Sequence, residues 1–176
     1  MARPANTPFQ ETRLAFIGGG NMASAILGGL IREGMAPSQV TVIEPFAETA
    51  AKLKASWGVE VHASASAEAS SSLSKADLVV WAVKPQVFKE AALPVANFTK
   101  QALHLSVAAG IQSDSIARWL GTDRVVRSMP NTPALVGQGI QVLQGQVIAA
   151  NLGHGLARCR RAWCCARRGG WMRHRG

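Results

Sequence analysis

Three successive glycines directly behind a short apolar run constrain this 176-residue chain more than any other feature. Arg13-Leu14-Ala15-Phe16-Ile17 ends at Gly18-Gly19-Gly20, and Met22, Ile26, Leu27, Leu30 and Ile31 then recur at helical spacing as far as Gly34, a natural C-cap. A strand that turns straight into a helix pairs with its successor only through a crossover, which makes the pairing parallel. The alternation continues down the chain. Val40-Thr41-Val42-Ile43 is β-branched or aliphatic throughout and reads as a strand, 46–56 as a helix, and Val59-Glu60-Val61 as a brief strand. The Ala- and Ser-rich stretch 64–74 reads as a helix. Leu78 to Val83 is apolar enough for a strand buried on both faces. A helix starting at Pro85 reaches about Asn97, and Leu103 to Val107 forms the next strand. Ser113 caps a helix through Ile116, Trp119 and Leu120 that stops at Gly121, and Arg124-Val125-Val126-Arg127-Ser128 is the last clear strand.

Six strands alternating with helices, joined by right-handed crossovers, give an α/β fold: a Rossmann-like, doubly wound, mostly parallel sheet with helices on both faces. We expect that domain over 13–144, a disordered segment over 1–12, and an irregular arginine-rich tail over 145–176 that is not a domain. The tail also explains the net charge of +9. The first 150 residues hold 12 Lys and Arg against all 10 acids, whereas the last 26 hold seven Arg, no Lys and no acid. The basic character therefore belongs to a short end piece. It is no general sign of a nucleic-acid partner, and none is expected. Cys159, Cys164 and Cys165 also lie there, with two of them adjacent and no matching His pair, so no metal site is expected. Leu78 to Val83 is the longest apolar run, too short to span a bilayer, and residues 1–12 contain no apolar signal core. No membrane partner and a cytoplasmic location follow as expectations.

Gly18-Gly19-Gly20-Asn21-Met22-Ala23 matches G-x-G-x-x-G/A. Gly18 allows the tight turn, Gly20 lets a diphosphate approach the backbone with no Cβ in the way, and Ala23 lets the helix pack close to the strand. The helix N-terminus then offers N–H groups and a positive dipole end to phosphate. Taken alone, three glycines also make a plain flexible turn; the strand before and helix after favour dinucleotide binding. Glu44 closes the second strand. An acid there accepts from a ribose 2′-hydroxyl and repels a 2′-phosphate, though it reads equally as a solvated acid before Pro45. The loops Ala82-Val83-Lys84-Pro85 and Val107-Ala108-Ala109-Gly110, and the stretch from Ser128 to Pro133, leave the carboxyl ends of other strands. Their small residues leave room for a flat ring, and Lys84 and Asn131 offer hydrogen-bond donors. Lys84 is also readable as an exposed lysine at a helix start. His62 and His104 read as structural.

Together these loops resemble pyrroline-5-carboxylate reductase. The stretches Phe16 to Met22, Ala82 to Gln86, Ser106 to Ile111 and Arg127 to Pro133 stand in that family's order, spanning 127 of 176 residues from Arg13 to Gly139. The resemblance implies reduction of the C=N bond of 1-pyrroline-5-carboxylate to L-proline by NADPH or NADH. It implies that Ile17, Gly18, Gly19, Gly20, Asn21 and Met22 hold the diphosphate, and that Glu44 lies where the adenosine ribose is discriminated. It implies further that Ala82, Val83, Lys84, Pro85, Val107, Ala108 and Ala109 line the nicotinamide half, with Asn131 on the substrate side.

Beyond Gly139 the resemblance stops. The family continues into a helical second domain that forms the dimer and carries the substrate pocket, marked by Ser-Gly-Ser-Gly-Pro and Gly-Gly-Thr-Thr stretches, and neither occurs here. Catalytic residues are therefore unassigned in this chain, and little or no turnover is expected of it. The Arg, Cys, Trp and Gly bias after Gly145 resembles a GC-rich gene read in a shifted frame, with the shift between Gln141 and Gly155. The alternatives are a genuine arginine-rich tail that binds nucleic acid beside a Rossmann body, and a catalytically silent dinucleotide-binding module.

Overall fold

The computed structural model describes residues 11–130, 141–146, 164–167 and 170–171. Strands β1 (Leu14–Ile17), β2 (Val40–Ile43), β3 (Glu60–His62), β4 (Leu78–Trp81), β5 (Leu103–Ser106) and β6 (Val125–Pro130) alternate with helices. These are α1 (Asn21–Arg32), α2 (Ala47–Trp57), α3 (Ala67–Ser74), α4 (Phe88–Ala96) and α5 (Ser113–Leu120). The six strands lie in the order β3-β2-β1-β4-β5-β6, every neighbouring pair parallel. This is the doubly wound arrangement that the sequence implies, with its topological switch point between β1 and β4.

Residues alternate between two cores, one on each face of the sheet. Ala15, Ile17, Val79 and Trp81 face Leu73 of α3, Phe88 and Val95 of α4, and Ile116 and Leu120 of α5. Leu14, Phe16, Val40, Val42 and Val80 face Ala23 and Leu27 of α1 and Leu53 of α2. All of β1 and β2 is buried, which is why these strands read as unbroken apolar runs. Burial of a side chain such as Phe88 or Leu73 contributes about 1.5–3 kcal/mol each.

Two strand ends fall short of their expected positions. β4 stops at Trp81 and β5 at Ser106, so that Ala82, Val83 and Val107 belong to loops. The helix expected from Pro85 begins instead as a 3₁₀ turn, Pro85–Val87, before α4. β6 continues to Pro130 and pairs antiparallel with β7 (Gln141–Gln146), from Val125↔Gln146 to Pro130↔Gln141. Short strands β8 (Cys164–Arg167) and β9 (Gly170–Trp171) follow, each antiparallel to its predecessor. Residues 1–10, Asn131 and most of 145–176 lie outside the described residues, whereas the Thr12 carbonyl accepts a hydrogen bond from Gln39 Nε2 at 2.9 Å. No helix among the described residues is long and apolar enough to cross a membrane.

Beneath the sheet's carboxyl edge, Trp81, Phe88 and His104 form a buried cluster. The Trp81 and Phe88 ring centroids are 4.8 Å apart. Trp81 Nε1–H donates to His104 Nδ1 at 3.0 Å, so Nε2 of that ring carries the proton and donates to the Thr99 carbonyl, also at 3.0 Å. Protonating Nδ1 would set two donors against each other. Burial, aided by the positive charge of Arg124 and opposed by the Thr99 bond, pushes His104 down from 6.5 to about 4. The unfolded chain therefore binds a proton that the folded chain refuses. Stability is complete above pH 6.5 and falls as the pH drops toward 4, by about 3 kcal/mol from this residue. Urea unfolding between pH 7 and pH 4 checks this: His104→Gln should remove most of that loss, and an unchanged slope in the variant would assign it to other groups.

Candidate functional site

Hydrogen bonding of the parallel sheet runs one residue past the strand ends and aligns four loops. Glu44 N–H donates to the His62 carbonyl (2.8 Å), Gly18 N–H to Ile43 (2.9 Å), Ala82 N–H to Ile17 (2.9 Å) and Val107 N–H to Trp81 (3.1 Å). Glu44, Gly18, Ala82 and Val107 thus stand side by side along the carboxyl edge, at the switch point where open α/β sheets bind ligands.

The three glycines differ in what requires them. Gly18 has φ +90°, a conformation L side chains rarely adopt, and a Cβ there would stand 2.7 Å from the Ala82 carbonyl oxygen and 2.9 Å from Val83 Cγ1. That contact fastens the glycine turn to the β4 loop. A Cβ on Gly19 would meet Leu53 Cδ1 at 2.5 Å and the Glu44 side chain just beyond 3 Å. Gly20 has an ordinary φ of −65°, and a Cβ there would meet no atom within 4 Å. The space over Gly20 is open, and Gly20 is the N-cap of α1. That helix has no capping side chain and no acid in its first turn. Its first N–H groups, which no intrahelical carbonyl can serve, border that space. A diphosphate fits this combination of positive dipole end and absent side chain.

Glu44 is only 6% exposed, so it is not a solvated acid. Its Oε2 accepts from Gly19 N–H at 2.6 Å and its Oε1 from Phe46 N–H at 2.9 Å. One carboxylate therefore ties the glycine turn to the start of α2. Such charge-assisted bonds are roughly twice as strong as neutral ones, which makes burial of the acid tolerable. At the far end of the row, Ala82, Val83 and Val107 are half-buried and Ala108 is buried, its N–H directed at Ser106 Oγ (3.3 Å). Asn21, Lys84, Pro85 and Ala109 are exposed, and Met22 is half-buried.

The structure thus brings Ile17–Met22, Glu44, Ala82, Val83 and Val107 to one edge, with Lys84 and Pro85 leading away through the 3₁₀ turn. Asn131 lies outside the described residues. The sequence reading did not single out Leu53, which packs under Gly19, or Trp57. Trp57 Nε1–H donates to Ser24 Oγ at 3.1 Å, and its ring fills the space where a Gly28 Cβ would stand. The spacing of Ala50, Leu53 and Trp57 on α2 carried that signal. No cluster of three or more His, Cys, Asp or Glu suited to a metal ion occurs among the described residues.

Residues 13–110 match the model of the family described as NADP oxidoreductase, coenzyme F420-dependent. The chain is 44% identical over 142 residues to pyrroline-5-carboxylate reductase of Pseudomonas aeruginosa, covering 78% of this chain and 50% of that protein. It is 41% identical over 133 residues to the Escherichia coli protein of the same name, covering 74% and 48%. Among solved structures, a pyrroline-5-carboxylate reductase from Coxiella burnetii superposes with a TM-score of 0.69 at 32% identity, covering 78% of this chain and 50% of that one. A pyrroline carboxylate reductase from Plasmodium falciparum, solved with NADP bound, superposes with a TM-score of 0.67 at 21% identity, covering 82% and 51%; at that identity it speaks for the fold. The chain spans about half the length of the curated relatives it matches.

Because the Gly18 contact is with backbone, it cannot yield cheaply. Gly18→Ala should lower stability by about 2 kcal/mol or more from strain and overlap. Denaturant titration measures this, and a variant as stable as the parent would show that the turn is not wedged against Ala82.

Proposed function

This chain belongs to the family described as NADP oxidoreductase, coenzyme F420-dependent, and we propose that it supplies the dinucleotide-binding part of a pyrroline-5-carboxylate reductase. Residues 13–144 form that part; of the arginine-rich 145–176, the described Gly145, Gln146 and Cys164–Arg167 extend its sheet. The observation that carries the reading is the close contact of Gly18 with Ala82 and Val83, which fixes the glycine turn and the β4 loop side by side at the carboxyl edge. The 44% identity to the Pseudomonas aeruginosa reductase supports the choice among nicotinamide enzymes.

In this reading the α1 N-terminus and Gly19–Met22 hold the diphosphate of NADPH or NADH, and Glu44 faces the adenosine ribose. Ala82, Val83, Val107 and Ala108 line the nicotinamide half with small apolar groups that exclude water, while Lys84, Pro85 and Ala109 edge it. Asn131 is proposed as a polar contact on the substrate side. The bound coenzyme supplies a hydride, which adds to the imine carbon of 1-pyrroline-5-carboxylate while a proton goes to nitrogen; this chain's residues contribute position. The groups that hold and protonate the imine are assigned to none of the described residues. A cytoplasmic setting, a small-molecule substrate and no nucleic-acid or membrane partner complete the proposal.

Gly20→Ala separates ligand binding from folding. Its new methyl touches none of the described residues, so unfolding free energy should stay within about 0.5 kcal/mol of the parent, while affinity for NADH or NADPH falls about ten-fold or more. Unchanged affinity would remove the diphosphate from this loop. Purified protein supplied with NADH or NADPH and 1-pyrroline-5-carboxylate should bind coenzyme yet show little oxidation of it at 340 nm. Robust turnover would place the imine-binding groups within these 176 residues.

A further inference from the structure

Resting on the dinucleotide reading above, we infer that Glu44 is a fixed selector for a free ribose 2′-hydroxyl, so that this chain takes NADH in preference to NADPH, against the habit its family's description suggests. Glu44 sits at the carboxyl tip of β2, one strand from the glycine turn, where the adenosine ribose lies when the diphosphate is held at α1. A solvated acid at this position can rotate aside for a phosphate. Glu44 is held, because one of its oxygens accepts from Gly19 of the glycine turn and the other from Phe46 of its own loop. A carboxylate has about four lone-pair sites and no donor, so what remains here can accept from a hydroxyl and can give nothing to a phosphate oxygen.

The surroundings supply no compensating cation. The β2–α2 connection and first turn of α2 read Glu44-Pro45-Phe46-Ala47-Glu48, and the segment after β3 reads Ala63-Ser64-Ala65-Ser66. Lys52 is bound to Glu48 at 2.7 Å, and His62 Nε2 lies 3.0 Å from Glu60 Oε1. Lys54 is in the last turn of α2, at the end away from the tip, and Arg32 stacks over Trp57 at the far end of α1. A 2′-phosphate there would therefore meet the Glu44 carboxylate and the net-neutral Glu48–Lys52 pair, with no unpaired Lys or Arg on the described 44–48 or 63–66 segments to receive it.

The test is equilibrium binding to the full chain, by calorimetry, of NADH, NADPH, ADP-ribose and 2′-phospho-ADP-ribose. NADH should bind about ten-fold or more tighter than NADPH, with the same ratio between the two fragments, since the discriminating group is the 2′-phosphate. Glu44→Gln should shrink that ratio to about three-fold or less. If it loosens the glycine turn, both members of each pair weaken together and the ratio still reports the charge. Equal or tighter binding of NADPH, or a ratio that survives in Glu44→Gln, overturns the inference and leaves dinucleotide binding intact. If the variant does not fold, the two fragments on the parent chain decide the preference. Failure of all four ligands to bind folded protein overturns the dinucleotide reading itself.

Discussion

The Glu44 carboxylate is the constraint on which the candidate site depends. A charged group with 6% of its surface exposed persists at a sheet edge only if strong donors meet it. Here they are two backbone N–H groups, one from the glycine turn and one from the start of α2 in its own connection. The shape of the glycine turn follows. Gly19 N–H can face the carboxylate only if Gly19 sits directly over Leu53 and Glu44, where no Cβ fits, and that position requires the left-handed turn at Gly18. Gly18 in turn comes to rest on the Ala82 carbonyl. One acid at the tip of β2 thereby sets the position of the glycine turn against the β4 loop.

Packing beneath the edge keeps these tips from drifting. Trp81 ends β4 with its ring against Phe88, and Phe88 contacts Trp119 with ring centroids 5.8 Å apart. The Trp81 indole N–H is taken by His104 on β5, so the last residue of β4 is joined to its neighbouring strand by a side-chain bond as well as by the ladder. The ring is held neutral because both its nitrogens are committed to fixed partners in a buried place. That arrangement rigidifies the core while leaving no proton to exchange with a ligand, which separates His104 from the chemistry proposed above it.

The parallel core was legible in the sequence because each of its signals is local. β-Branched and apolar runs, helical spacing from Met22 to Ile31, and glycines at α2, α5 and the first turn all act within a few residues of themselves. β7 was not legible. Gln141-Val142-Leu143-Gln144-Gly145-Gln146 lacks alternation and holds a glycine in its interior, and only its antiparallel pairing with β6 makes it a strand. The site divided in the same way. Gly18, Gly20 and Ala23 answer a motif with fixed spacing. The need for glycine at position 19 comes from Leu53 and Glu44, 34 and 25 residues away, and the motif treats that position as free. Glu44 was visible as an acid at the right strand tip, but its burial and its two N–H partners are properties of the folded edge.

These differences assign separate work to three adjacent identical residues. Gly18 and Gly19 are required by the protein itself, one through its φ and the Ala82 contact, the other through Leu53 and Glu44. Gly20 is required by none of the described residues, since its φ suits any residue and its Cβ would meet none of their atoms within 4 Å. Position 20 carries the conformational-entropy cost of glycine at an N-cap where Ser, Thr, Asp or Asn would stabilise α1 by only a few tenths of a kcal/mol more. In the reading proposed above, a diphosphate entering that space would account for a bare residue beside the first N–H groups of α1. On that reading the glycine turn holds a structural pair and one position kept bare for a ligand, and the boundary between them falls where the buried carboxylate stops and the helix dipole begins.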